Sequence, residues 1–229
     1  MTAPTPRSAT PTVTSSGTTV TAPTITLSPH QTGDYLLVIL AARNVTTVTA
    51  PGTWALIKGG NTGGVFLGLY QQSALAASNA ETNPQFTFSP ASTYTAHAYS
   101  VPMPNSGTIN RAGVNVSAGT SATADPPSNT SFGGTQDYLW LAAAAVNAAT
   151  AINSAPSGYT NFTGTAGANG SSIGLGTAWK TALASVTEDP NTFGLGASVN
   201  WTADTLAIWD PVTAGVTSHG GNAMLLGIG

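Results

Sequence analysis

The sequence predicts an all-β protein: an antiparallel β-sandwich, jelly-roll-like, built from two pseudo-repeated halves. Three observations predict it. Apolar residues alternate with small or polar ones at period two along several short runs. Clusters of Gly, Pro, Asn and Ser interrupt these runs at short intervals. An ordered series of landmarks also occurs twice along the chain.

Taken in order, residues 1–18 are Thr, Ser, Pro and Ala with a single Arg. Pro4, Pro6 and Pro11 exclude helix there. The segment reads as an extended N-terminal arm, either docked on a neighbouring subunit or disordered, and residues 19–229 as the sandwich. Tyr35 to Leu40 is a continuous apolar run, as a strand covered on both faces requires. Phe86 and Phe88 flank Thr87, and Val114 and Val116 flank Asn115. Tyr138 to Val146 carries an Ala run that favours helix. Its counterpart in the first half is rich in Leu and β-branched residues, so it reads as strand. Ile173, Leu175 and Trp179 alternate with small or polar residues, as do Phe193, Leu195, Ala197, Val199 and Trp201.

The duplication spans about residues 33–102 and 136–211. Asp34-Tyr35-Leu36 returns as Asp137-Tyr138-Leu139. Leu67-Gly68 returns as Leu175-Gly176, and Ala74-Leu75-Ala76 as Ala182-Leu183-Ala184. Glu81 and Pro84 are answered by Glu188 and Pro190, Phe86 by Phe193, and Tyr99 by Trp209. The offset drifts as loop insertions would make it drift, but the order never changes. Two such halves form either one sandwich or two small tandem domains. Val114 and Val116 in the connection read as strand and not linker, which favours one sandwich.

Charge is scarce. Five Lys or Arg and eight Asp or Glu make up 6% of 229 residues, where about 25% is typical. A net charge of -3 offers little repulsion between copies, so the surface favours permanent association, with a homo-oligomer expected. Arg7, Arg43, Lys58, Arg111 and Lys180 are scattered, which argues against nucleic-acid binding. No run approaches the length of a membrane-spanning helix, so no membrane partner is expected. The N-terminus lacks the apolar core of a secretory signal, and the expected origin is the cytoplasm of the producing cell. Cysteine is absent, so disulfides and thiolate metal sites are excluded.

Catalytic chemistry has few candidates. His30 lies in a Pro-His-Gln-Thr-Gly turn, His97 in an alternating strand and His219 before Gly220-Gly221. None accompanies a Gly-x-Ser-x-Gly elbow. Asp34 and Asp137 hold equivalent places where strands begin, as turn-capping residues do. Glu188, Asp189 and Asp204 are the candidate calcium ligands, because carboxylates and loop carbonyls suit that ion. No further metal, cofactor or catalytic residue is expected. Gly59-Gly60 and Gly63-Gly64 lack the Lys-Thr of a phosphate loop and read as a hairpin turn. Trp54, Trp140, Trp179, Trp201 and Trp209 fall in strand patterns and read as core.

The run Gly33-Asp34-Tyr35-Leu36-Leu37-Val38 is followed by a turn with Pro51-Gly52 and Trp54. A strand ending in Leu69-Tyr70-Gln71 comes next. This order resembles bacteriophage virion structural proteins, in which Gly-Asp-Leu-Leu-Val, Gly-Trp-Thr-Leu and a Tyr-containing strand succeed one another. The resemblance covers about residues 33–102. The second half departs from it, with Gln136 in place of the Gly and Gly158-Tyr159 in place of Gly-Trp. It implies a β-sandwich of the minor tail, fibre-associated or head-decoration type, located in the virion among other virion proteins, and it carries no catalytic residues. The expected function is therefore non-enzymatic and structural, on the virion exterior, at the tail or a fibre. A capsid decoration protein is the alternative. A module of another class, binding a host-surface glycan or receptor, would need exposed aromatic side chains, for which Tyr94 and Tyr159 are the candidates.

Overall fold

A computed structural model of the chain describes residues 2–21, 24–78, 80–105, 111–113, 116–148, 151–165 and 173–211. The first half carries β1 (Thr12–Thr21), β2 (Asp34–Arg43), β3 (Thr47–Thr49), β4 (Trp54–Thr62), β5 (Val65–Gln72) and β6 (Thr87–Pro102). The second carries β7 (Arg111–Gly113), β8 (Ser117–Ala124), β9 (Asn129–Thr130), β10 (Gln136–Val146) and β11 (Ile152–Ser154). It continues through β12 (Thr160–Thr165), β13 (Gly174–Ser185), β14 (Thr187–Glu188) and β15 (Phe193–Trp209). The described chain is all-β, and every strand pairing in it is antiparallel. The Ala run of β10 is strand, because it is the central, fully covered strand of its sheet.

Two sheets form the sandwich, and each takes its strands from one half of the chain. The first runs β1-β6-β2-β5-β4, with β3 also on β6. The second places β8 and β7 on β15 and continues β15-β10-β13-β12, with β11 also on β15. The order is the same in both: β1 matches β8, β2 matches β10, β5 matches β13 and β6 matches β15. A small ribbon of β9 and β14 stands beside the second sheet.

The sheets meet along a seam. Tyr35, Leu37, Ile39, Leu67 and Leu69 of one sheet face Leu139, Leu141, Ile173, Leu175 and Leu206 of the other. The opposite face of each sheet is also covered. Leu36, Val38 and Leu40 lie under Trp54, Phe86, Phe88 and Tyr94. Trp140 lies among Tyr138, Phe193, Trp201 and Trp209. Three apolar layers result, which explains why β2 and β10 are apolar on both faces. Each fully buried large side chain contributes on the order of 1.5–3 kcal/mol.

Residues 2–18 are not the free arm expected from composition. Thr12 to Thr21 form β1, which pairs with β6. Upstream, Arg7 N–H donates to the Ser100 carbonyl at 2.9 Å, and the Ala9 carbonyl accepts from Trp179 Nε1 at 3.2 Å. Pro4, Pro6 and Pro11 are buried. The segment matches β7 and β8, which line β15 in the same way. It thus belongs to the repeat, and its Thr residues are strand formers that compositional bias disguises. Of the expected connecting strand, Val114 lies outside the described residues, and Val116 falls between β7 and β8 and belongs to neither.

Gly63 and Gly64 make the two-residue turn between β4 and β5, with φ of +58° and +76°, both left-handed. Gly59 and Gly60 belong to β4 itself. The turn is tied to the second half: Asn200 and Asn147 side-chain amides donate to the Gly63 carbonyl at 3.0 and 3.3 Å.

Candidate functional site

The acidic residues at the starts of β2 and β10 differ in depth. Asp34 is 1% exposed and accepts from four groups. These are Arg7 Nε, Arg7 Nη2 at 2.7 Å, the Ser100 hydroxyl at 2.6 Å and Gln31 N–H at 2.8 Å. Burial raises its pKa, but the bonds from Arg7, Ser100 and Gln31 together outweigh burial and hold the carboxyl below its ordinary value. Asp137 is half-buried and accepts from Ala184 N–H at 3.0 Å. Both carboxylates tie together segments distant in sequence.

Glu81 closes its own loop. It accepts from Gln72 Nε2 at 3.0 Å and from the N–H groups of Ala77 and Ser78 at 2.6 and 3.0 Å, which lower its pKa. His30 Nε2 accepts from Glu81 N–H at 3.0 Å, so the ring donates from Nδ1 to the Ser28 carbonyl at 2.9 Å. His30 pins two loops together. It also lines an open cleft of about 560 Å³ with Thr12, Thr26, Ser28 and Gln31. His219 lies outside the described residues.

The candidate calcium ligands are not brought together. Asp204 is fully buried in the seam, Asp189 is exposed, and Glu188 pairs with Lys180 at 2.6 Å. Among the described residues, no three of His, Asp and Glu gather as a metal ion would require. Sequence spacing put these acids near one another, but strand pairing turns Asp204 into the seam and leaves the other two at the β14 ribbon.

His97 and Thr177 have the hydrogen bond that a base and a nucleophile would share. His97 Nδ1 lies 2.8 Å from Thr177 Oγ1, which also bonds the Tyr99 hydroxyl at 2.7 Å. Yet His97 and Thr177 are fully buried between the sheets, where no substrate reaches them. Burial pushes the imidazole down to about 3, so it stays neutral. The group is a polar clasp across the seam. Sequence reading placed His97 on a strand but had no signal for its partner.

The aromatic candidates for sugar stacking are also interior. Tyr94 is fully buried and Tyr159 nearly so, with Lys180 Nζ 5.1 Å from the Tyr159 ring centroid. All five Trp are buried. Tyr99 faces the seam and Trp209 the outer layer, so these two do not occupy matching places, contrary to expectation.

One surface feature stands apart. Phe132 is 88% exposed, Leu183 73% and Val186 39%. Phe132 follows β9, Leu183 lies near the end of β13 and Val186 joins β13 to β14, where Ser131 N–H donates to the Val186 carbonyl at 2.8 Å. In the first half the counterpart of Leu183 is Leu75, which packs against the seam core. The first half exposes Val13 and Leu56 on β1 and β4 instead, so this group at the β9 and β14 ribbon has no match there, and neither periodicity nor composition marked it. No described helix is long and apolar enough to cross a membrane.

No family model matches the chain, and neither a curated protein nor a solved structure is found to be similar to it.

Proposed function

We propose that the chain is a non-enzymatic structural component of a phage virion exterior, attached to the tail or a fibre. The observation that carries this reading is the exposed cluster of Phe132, Leu183 and Val186 on a protein with 6% charged residues. Large apolar side chains in water are costly, and a neighbouring subunit that covers them removes the cost. The motif around Gly33 to Val38, Trp54 and Tyr70 supports placement among virion proteins. The attachment surface lies on the second half, not in the N-terminal segment, whose Thr12 to Thr21 already pair within the chain. The partner is another virion protein or a further copy of this chain. A glycan-binding role finds no support in Tyr94, Tyr159 or the Trp residues, all of which are buried.

Quantitative mass spectrometry of purified particles from the phage that encodes the chain tests the proposal. A few copies per particle fit a tail or fibre component, and many copies fit capsid decoration. Particles without the chain would overturn both.

A further inference from the structure

The strand register matches the seam residues of the two halves row by row. Leu67, Ala41 and Thr95 lie side by side in the first sheet as Leu175, Ala145 and Thr202 do in the second. In the next row, Leu69, Ile39 and His97 match Thr177, Ala143 and Asp204. A base and an acid thus occupy the same buried place in the two halves. His97 has its bond to Thr177, and its Nε2 has no partner. The residue matching Thr177 is Leu69, which has no hydroxyl to offer Asp204. Asp204 Oδ1 accepts only from its neighbour Thr205 N–H at 2.7 Å, and Oδ2 has no partner.

We propose that His97 and Asp204 act as a compensated pair, two buried titratable groups at matched places whose opposite responses to pH keep the seam closed across mildly acidic conditions.

The signs follow from the two sites. Burial pushes Asp204 up to about 7 from 3.8, against the Thr205 N–H and the positive charge of Lys58 on β4. Its contribution is complete below 3.8 and declines as pH rises toward about 7. Burial pushes His97 down to about 3 from 6.5. Its contribution is complete above 6.5 and declines as pH falls toward about 3. Between 3.8 and 6.5 the two slopes oppose and cancel. The other titratable groups near the pair do not change charge in this range. Tyr35 and Tyr99 share the seam, and burial raises both hydroxyls, so they stay neutral. Arg111 of β7 bonds the Gln71 side chain, Tyr70 of β5 and Tyr138 of β10 face the outer layers, β8 and β1 contain no titratable residue, and Lys180 of β13 pairs with Glu188.

The test is urea unfolding of the full chain from about pH 4.5 to 6.5, for the wild type, Asp204→Asn, His97→Gln and the double variant. Relative to wild type, Asp204→Asn should gain stability with rising pH, by up to about tenfold per unit in the unfolding constant. His97→Gln should lose it with the opposite slope, and the double variant should run parallel to wild type. Single variants that both run parallel to wild type would overturn the pair. Should a single variant fail to fold, the carboxyl carbon shift of Asp204 in the wild type decides. A protonated Asp204 at about pH 5 supports the pair, and an ionised one overturns it.

Discussion

Thr95 and Thr202 hold the same place in the two halves and reach across the seam in opposite directions. The Thr202 hydroxyl donates to the Val65 carbonyl at 3.1 Å, and that of Thr95 to the Ile173 carbonyl at 3.5 Å. Both threonines are fully buried. The shorter bond is the stronger one. Thr202→Val should cost about 1 kcal/mol, the typical loss for one buried hydrogen bond, and Thr95→Val less. Urea denaturation of both variants checks the order, and the reverse order would contradict it.

Asp34 and Asp137 should separate under mutation. Asp34→Ala removes the acceptor of two Arg7 donors, a hydroxyl and an N–H, and should cost about 3 kcal/mol. Asp137→Ala removes the acceptor of the Ala184 N–H at a half-buried site and should cost about 1 kcal/mol. The Asp34 contribution is present above pH 3.8 and is lost as pH falls through its lowered value. Equal costs at neutral pH would argue against the Arg7 tie.

Gly133 lies against the outer layer of the second sheet. A Cβ there would come within 2.6 Å of the Trp209 ring and 2.7 Å of the Tyr138 hydroxyl. The rings pack edge to face with centroids 5.5 Å apart and have little room to yield. Gly133→Ala should therefore cost about 1–3 kcal/mol through overpacking. An unchanged melting temperature would show that the loop moves freely.

Phe132→Ser with Leu183→Ser should leave stability within about 0.5 kcal/mol, because both side chains lie in solvent. Incorporation into particles should fall sharply in the same variant. Paired measurements of melting temperature and copy number per particle distinguish attachment from folding.

Much of the architecture is legible in the sequence because strand and turn chemistry repeats twice in order. The alignment of the halves is legible only to within one residue. Asp34-Tyr35-Leu36 and Asp137-Tyr138-Leu139 look equivalent, yet Tyr35 faces the seam and Tyr138 the outer layer. A slip of one residue reverses every face of a strand. Alternation would normally reveal such a slip, but β2 and β10 are apolar on both faces and show none. A slip of three residues separates Tyr99 from Trp209, because the register matches Tyr99 with Leu206. The Thr177 clasp and the buried Asp204 were invisible for a different reason. They depend on which strands oppose across the seam, and no local pattern encodes that.

The seam makes this chain a dimer within one polypeptide. Its two members are covalently joined, so they associate at any dilution, and neither needs an outside that attracts the other. The outer surfaces are then free to differ without loss of symmetry at the centre. One member tucks Leu75 inward, while the other presents Leu183 to the solvent. A symmetric pair of separate subunits would carry the Leu183 feature twice; fusion lets it stand on one member alone.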